Sequence, residues 1–213
     1  MNRINQLFQD SPKNLLSVYF CAGFPTLNST ADVIRTLEKN GVNMIEIGIP
    51  FSDPMADGIV IQDAATRALR NGMSLRILFE QLQDIRRDVR IPLILMGYLN
   101  PIMHFGFEAF CRKCTECGID GVIIPDLPFR EYEENYKAVA QKYDIRVIML
   151  ITPETSEKTH PRNRYPYRRI HLYGIISSHH RRAERFRHPE TSLFQEDSRY
   201  EPAQSTHGRF RHQ

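Results

Sequence analysis

Long apolar runs are missing from this sequence of 213 residues. No stretch of about 18 consecutive apolar residues occurs, so we expect no membrane-spanning helix. The first residues, MNRINQLFQDSPKN, lack the apolar segment of a secretory signal peptide, so we expect no signal peptide. Charge is almost balanced, at +3, and by itself points to no partner. With 41% hydrophobic residues, the chain has the composition of one ordinary globular domain.

Cysteine is scarce, and its four copies form no even framework along the chain. This usage predicts reduced thiols and a cytoplasmic protein. Cys111, Cys114 and Cys117 have a spacing that also occurs in iron–sulfur and zinc sites. The surrounding segment predicts an amphipathic helix, however, and ligands at i, i+3 and i+6 would point to different sides of it. We therefore expect packed thiols and no metal site, and we interpret His104 as a loop residue.

The chain has two compositions. Residues 1–158 contain 17 basic and 20 acidic residues, whereas residues 159–213 contain 11 arginines, no lysine and five acidic residues. Seven of the eight histidines also fall in 159–213. We therefore treat 1–158 as the folded part and 159–213 as a separate, Arg/His-rich tail without predicted order.

The first part alternates between apolar runs and amphipathic patterns. Strands are predicted at 15–23, 42–50, 91–99, 119–128 and 145–152. Helices are predicted at 28–41, 58–71, 74–87, 105–118 and 131–143. Continuous apolar strands that alternate with helices indicate an α/β protein with parallel strands.

The fold class predicted from this rhythm is a (β/α)₈ TIM barrel, incomplete here, with about five βα units followed by an irregular tail. In such a barrel the carboxyl ends of the strands form the active-site face. Polar residues lie at several predicted strand ends: Glu46, Tyr98, Asn100, Asp126 and Thr152. A doubly wound sheet has the same rhythm, but it would be expected to begin with a glycine-rich turn, and CAGFPT is a poor one.

The segment EIGIPFSDPMADG (46–58) contains the most informative acids. Glu46 lies inside an apolar strand, where a carboxylate costs free energy unless it is paired or its pKa rises. Asp57 precedes a predicted helix and could simply cap it. Alone, Glu46 is equally compatible with a structural acid. Together, the two residues could form an acid–base pair, with one carboxyl group in an apolar site and the other ionised.

The string PFSDPMADG, between EIG and IQDA, resembles the second strand and loop of the tryptophan synthase alpha chain family. Further similar segments are YFCAGFPT (19–26), GYLNPI (97–102), GIDGVIIPDLP (118–128) and ITPET (151–155). The resemblance covers essentially residues 1–158, and PFSDPxADG is highly specific. One departure is Ile59, where the family usually has proline, and we expect it to affect loop stiffness more than chemistry.

The resemblance implies a lyase that cleaves indole-3-glycerol phosphate by a retro-aldol reaction to indole and glyceraldehyde 3-phosphate. Glu46 matches the family's general acid–base, and Asp57 matches the carboxylate that accepts the indole N–H. Phe20, Tyr98 and Asp126 match positions that line the indole pocket.

The resemblance also implies a partner. Asp53, Pro54, Asn100 and Pro101 match segments that meet a beta chain, with which the family forms an α₂β₂ tetramer. The alpha chain itself is expected to need no cofactor, because pyridoxal phosphate belongs to the beta chain.

The tail does not resemble the family. It has two glycines and four prolines and only one short apolar run, Leu172 to Ile176. The family's phosphate-binding loops would be expected in this part of the chain, so the segment that should hold the phosphate is lost after Lys158.

A shift of the reading frame by one base explains the tail. With permissible codons, HGRFRHQ (207–213) becomes MVGFGIS, and the same slip from Thr159 onward gives the family-like strings GFIYMVSS and TTGA. The middle base of each new codon is free, but the two outer bases are fixed, and the agreement runs through 55 residues. A slip in an adenine run at Lys158 would explain where the change starts.

Two other functions remain as alternatives to the lyase. The chain could be an inactive product of the frameshifted gene, because without phosphate loops the substrate loses an anchor that positions the reacting carbon. A basic tail could also bind nucleic acid with a strong dependence on salt. We do not favour the last alternative, since the tail has few aromatic–basic modules.

Overall fold

The computed structural model describes residues 2–11, 13–55, 57–151 and 171–173. Six strands are present in these ranges: β1 Ser17–Cys21, β2 Met44–Gly48, β3 Leu93–Met96, β4 Gly121–Ile123, β5 Arg146–Ile151 and β6 His171–Tyr173. The α-helices are α1 Arg3–Asp10, α2 Thr30–Lys39, α3 Ile59–Arg70, α4 Leu75–Leu82, α5 Leu99–Phe105, α6 Phe107–Glu116, α7 Phe129–Glu131 and α8 Lys137–Lys142. The described ranges also contain two 3₁₀ turns, Leu27–Ser29 and Ile85–Arg87, and a π-helical turn, Tyr132–Tyr136.

The strands form one parallel sheet whose spatial order is the chain order, β1-β2-β3-β4-β5-β6. A doubly wound sheet reverses its strand order at a switch point. No such reversal occurs among the described strands, so the doubly wound alternative is wrong. Successive βα units that add strands in one direction are the arrangement of a (β/α)₈ barrel, as the sequence predicts.

The edge of the sheet at β5 differs from what a chain with only five strands would show. An unpaired outer edge of β5 is expected if the chain contributes only five strands, but β6 pairs with β5 in parallel, with Met149 opposite His171. The other predictions for residues 159–213, including their lack of order, lie outside the described residues, as does Thr152.

The main core lies between the strands and the helices that cover them. Alternate residues of the strands face this layer, because successive side chains of a strand point to opposite sides. Its fully buried members include Ile45 and Ile47 of β2, Leu95 of β3, and Phe110 of α6. This packing explains why the strands read as continuous apolar runs in the sequence.

A second, smaller cluster lies on the inner side of the strands. Ile4 of α1 is fully buried there and packs with four strand residues: Met44, Ile94, Ile123 and Ile148. Asn2 caps this helix by accepting a hydrogen bond from the Ile4 N–H at 3.0 Å. Helix α1 therefore covers the inner side of the sheet near the amino-terminal ends of the strands, a role that the sequence does not predict.

Several helices differ from their predicted bounds. The helix predicted at 74–87 ends at Leu82 and continues as a 3₁₀ turn. The helix predicted at 105–118 is α6, and a further helix that was not predicted, α5, precedes it, with Gly106 at φ 90° between the two. The last predicted helix contains the π-helical turn. Within the described ranges, no helix is long and apolar enough to cross a membrane.

Candidate active site

Glu46 lies at the centre of β2, on the inner side of the sheet, and is only 8% exposed. Its neighbours in the sheet are Tyr19 of β1 and Ile94 of β3. The Ser17 hydroxyl donates a hydrogen bond of 2.6 Å to Glu46 Oε1. Burial raises the pKa of the Glu46 carboxyl, and the Ser17 hydrogen bond opposes part of that rise. Glu46 therefore holds its proton more tightly than an exposed glutamate does, which suits a group that transfers protons.

Asp57 lies in the segment between β2 and α3, directly before Gly58, the N-cap of α3. Its carboxylate accepts a hydrogen bond of 3.2 Å from the Tyr98 hydroxyl. Half-burial raises the pKa of Asp57, whereas the Tyr98 hydroxyl lowers it. The main-chain carbonyl of Asp57 accepts a hydrogen bond of 2.8 Å from the Gln62 side chain, which holds this turn against α3.

Tyr98 connects this carboxylate to the next unit of the fold. It is the N-cap residue of α5, immediately after β3, and its ring lies 5.2 Å from that of Phe51. Asp126, which follows β4, accepts a hydrogen bond of 2.8 Å from the Leu99 N–H. Asp126 therefore fixes the start of α5 and with it the position of Tyr98. The structure brings Asp57, Tyr98 and Asp126 to the same end of the sheet, as their place after the strands predicts.

Tyr19 belongs to the site, although the sequence interpretation did not include it. It lies opposite Glu46 in the sheet, and a Cβ atom at Gly48 would overlap its hydroxyl group. Burial raises the pKa of the Tyr19 phenol, and the nearby Cys21, Asp57, Tyr98 and Glu46 raise it further. The phenol is thus within electrostatic range of both carboxyl groups. The register of β1 against β2 would have revealed it, because Tyr19 and Glu46 share the inner side.

Phe20 is not brought to the site. It follows Tyr19 in β1, so its side chain points to the opposite side of the sheet. There it packs against the core between strands and helices. The pocket position that was predicted for Phe20 is therefore better matched by Tyr19, one residue earlier.

The residues predicted to meet a partner lie on the surface around the site. Asp53 and Asn100 are exposed, and Pro54 and Pro101 are half-buried. Asn100 and Pro101 lie in α5 and not in a loop. Met55, 95% exposed, extends this surface beside Pro54.

The three clustered cysteines are packed in the protein. Cys111 and Cys114 lie in α6, and Cys117 caps its carboxyl end; all three are buried and free. Burial raises the pKa of each thiol. Among the described residues, no group of three His, Cys, Asp or Glu side chains could hold a metal ion. The interpretation of His104 as a loop residue is wrong, since it lies in α5 with its side chain exposed.

The geometry can be compared with known proteins. The sequence model of the family "Tryptophan synthase alpha chain" matches residues 5–162. The chain belongs to the tryptophan synthase alpha chain family. The alpha chain of Bacteroides fragilis is 77% identical over 158 residues, which are 74% of this chain and 60% of that protein. The alpha chain of Bacteroides thetaiotaomicron is 75% identical over 158 residues, which are 74% of this chain and 62% of that protein.

A solved structure gives the same result for the fold. The tryptophan synthase alpha subunit of Legionella pneumophila superposes with a TM-score of 0.71 at 39% identity, covering 75% of this chain and 62% of that one. The fold is therefore that of the family's TIM barrel. This chain spans about 60% of the length of the curated alpha chains that it matches.

Proposed function

We propose that residues 1–158 carry the catalytic carboxyl groups of a lyase that cleaves indole-3-glycerol phosphate to indole and glyceraldehyde 3-phosphate. The observation that supports this most is the pair Glu46 and Asp57, which lie on one side of the sheet in different surroundings. Glu46 is buried on β2 with a raised pKa, and Asp57 accepts a hydrogen bond from Tyr98. Environments that separate two carboxyl groups in this way suit one proton donor and one anion.

The proposed reaction uses the two groups on different atoms of the substrate. Glu46 donates a proton to C3 of the indole ring and takes up the proton of the glycerol hydroxyl group, while the bond between C3 and the glycerol carbon breaks. Asp57 accepts the hydrogen bond of the indole N–H, because the protonated ring gains positive character that an anion stabilises. Tyr19 takes the pocket position first assigned to Phe20, and Asp126 holds Tyr98 in place.

The proposed partner is a tryptophan synthase beta chain, in an α₂β₂ complex. Asp53, Pro54, Asn100 and Pro101 would contribute to this contact, together with the exposed Met55. Pyridoxal phosphate would belong to the beta chain, and the cleavage step proposed above uses only side chains of this chain. A reducing cytoplasm would suit its four cysteines, all of which are free and buried.

The composition change after Lys158 supports a second proposal. We propose that residues 159–213 are read one base out of frame, and that the 213-residue chain consequently lacks the loops that would bind the substrate phosphate. Remote binding energy of this kind positions the reacting carbon. The 213-residue form is then expected to release indole more slowly than a frame-corrected chain.

Sequencing the encoding DNA tests the frame proposal. A single inserted or deleted base near the Lys158 codon, upstream of an open frame that encodes GFGIS, is the expected result. If no one-base change restores that string, the tail is a genuine part of the protein and the proposal is wrong.

An indole-release assay on the purified frame-corrected chain tests the lyase proposal. Glu46→Gln keeps the shape of the side chain but removes its acid, and should lower the rate by roughly 10²–10⁴-fold. Glu108→Gln is a matched control, because Glu108 is an exposed glutamate on α6, outside the site. Equal rates for both variants would contradict the proposal.

A further inference from the structure

Ser17 is a polar residue of β1 that the proposed reaction does not use. Its hydroxyl group donates a hydrogen bond of 2.6 Å to Glu46 Oε1, across the first pair of strands. The hydroxyl is half-buried and the carboxyl group is buried. A hydrogen bond to an ionised group in such surroundings is stronger than one in water.

The register of the two strands shows how this hydrogen bond orients Glu46. Tyr19 lies directly opposite Glu46, whereas Ser17 lies opposite Met44, two residues nearer the amino-terminal end of the sheet. Two residues correspond to about 6–7 Å along a strand. The Glu46 carboxyl group is therefore held on the inner side of the sheet by a residue two places before its cross-strand neighbour Tyr19.

Other groups around Glu46 do not supply an equivalent contact. On its own strand, the inward-facing neighbours are Met44 and Gly48, and on β3 the residue opposite is Ile94. The titratable group directly opposite Glu46 is Tyr19 of β1, which in turn lies within electrostatic range of Cys21, Asp57 and Tyr98. The side-chain hydrogen bond that acts on the Glu46 carboxyl group comes from Ser17.

We propose that Ser17 is the positioning residue of Glu46: its hydroxyl group holds the carboxyl group in one orientation in both protonation states. A hydroxyl is suited to this because it can donate to a carboxylate and accept from a carboxylic acid, which a lysine or arginine cannot do. A general acid–base must pass through both states in each reaction cycle. The inference rests on the proposed role of Glu46 and adds a residue that acts through it.

The test is the titration of Glu46 in the 213-residue chain, followed by ¹³C NMR of labelled glutamate carboxyl groups. Glu46→Gln identifies the signal. Ser17→Val and Ser17→Thr form a matched pair, because both side chains are β-branched, have the same shape and suit a strand, and only threonine keeps the hydroxyl. In Ser17→Val the midpoint should rise by roughly one pH unit, because the hydroxyl group binds the charged carboxylate more strongly than the neutral acid and its loss therefore costs the carboxylate more. In Ser17→Thr it should stay close to that of the unsubstituted chain.

An unchanged midpoint in Ser17→Val, or an equal change in both variants, would overturn the proposal. If circular dichroism shows that Ser17→Val is unfolded, Ser17→Ala replaces it, because alanine removes the hydroxyl without adding volume. The titration needs no turnover. If the titration shows the expected difference but the frame-corrected chain releases no indole in a Glu46-dependent way, the proposed lyase is refuted and the contact is kept, so the two failures are distinguishable.

Discussion

Glu46 and Asp57 have the same functional group, but the protein surrounds them differently. Glu46 is enclosed by strands and receives a hydrogen bond from Ser17, whereas Asp57 lies in a half-buried turn and receives one from Tyr98. Burial raises the pKa of both, and each hydrogen bond limits the rise. The proposed division of work, with proton transfer by Glu46 and charge stabilisation by Asp57, rests on these surroundings.

The raised pKa of Glu46 predicts a pH dependence of stability. The folded chain holds this proton more tightly than the unfolded chain, so the free energy of unfolding falls as the pH rises above the pKa of an ordinary glutamate. Glu46→Gln cannot ionise and escapes this loss. Its free energy of unfolding should therefore exceed that of the unsubstituted chain by an amount that grows from acid to neutral pH. Urea unfolding at a series of pH values measures it, and a constant difference would contradict the burial argument.

Gly48 predicts a steric effect at the same site. A methyl group at this position would overlap the Tyr19 hydroxyl. Gly48→Ala should destabilise the chain by about 1–3 kcal/mol, the usual cost of overpacking. Tyr19→Phe in the same chain should recover part of that loss, because it removes the overlapping oxygen. Urea unfolding of both single variants and of the double variant measures the coupling energy between positions 19 and 48. Strictly additive effects would show that the two residues do not meet.

Some of these residues could be found from the sequence and others could not. Glu46 and Asp57 were predicted because an acid within an apolar strand is costly and because PFSDPxADG is a specific string. The string favours Phe20 over Tyr19, because it does not show which of two neighbouring residues points inward. That choice depends on the register between β1 and β2, which is a tertiary property.

Helix α1 shows the same limit for a whole element. Its sequence, RINQLFQD, is short and polar and carries only a few apolar residues. The reason for its position is Ile4, which fills the inner space between four strands that are distant in sequence. Strands and the covering helices could be predicted because their apolar periodicity is local, whereas the place of α1 depends on the assembled sheet.

Asp120 attaches α1 to the sheet. We expect its substitution to lower the free energy of unfolding substantially. It is 3% exposed and receives hydrogen bonds from Arg3 at 3.0 Å, Arg86 at 2.6 Å and the Leu93 N–H at 3.1 Å. Asp120→Asn would leave the largely buried Arg86 without its counter-charge. The expected loss is about 3 kcal/mol, as for other broken buried ion pairs.

Asp144 provides the control for this substitution. Its ion pair with Arg146, at 3.2 Å, is exposed on both sides. Asp144→Asn should therefore change the free energy of unfolding by no more than about 1 kcal/mol. Similar losses for both variants in urea unfolding would mean that the Asp120 cluster does not stabilise the docking of α1.

At the level of the whole chain, the order of the strands decides the fold. The sequence rhythm was compatible with a barrel or a doubly wound sheet, because both alternate strands and helices. Strand order is not encoded in local periodicity. The spatial order of the strands, from β1 to β6 without a reversal, distinguishes the barrel from the doubly wound sheet. The same applies to β6: the apolar run from Leu172 was visible, but its pairing with β5 was not.

The lyase proposal and the frame proposal together make one prediction about the activity of the whole chain. The carboxyl groups of the site lie within residues 1–158, and the phosphate loops of the family would lie in the part that we propose is out of frame. Correcting the frame would join both halves of the site in one chain. Catalysis should then require both the restored loops and Glu46.

The rate of indole release from indole-3-glycerol phosphate tests this directly. It should be measured for the 213-residue chain, for a frame-corrected chain, and for the frame-corrected chain with Glu46→Gln. We predict that the frame-corrected chain is the fastest and that Glu46→Gln lowers its rate by roughly 10²–10⁴-fold. A frame-corrected chain that releases no indole, or releases it equally well without Glu46, would contradict the proposed function.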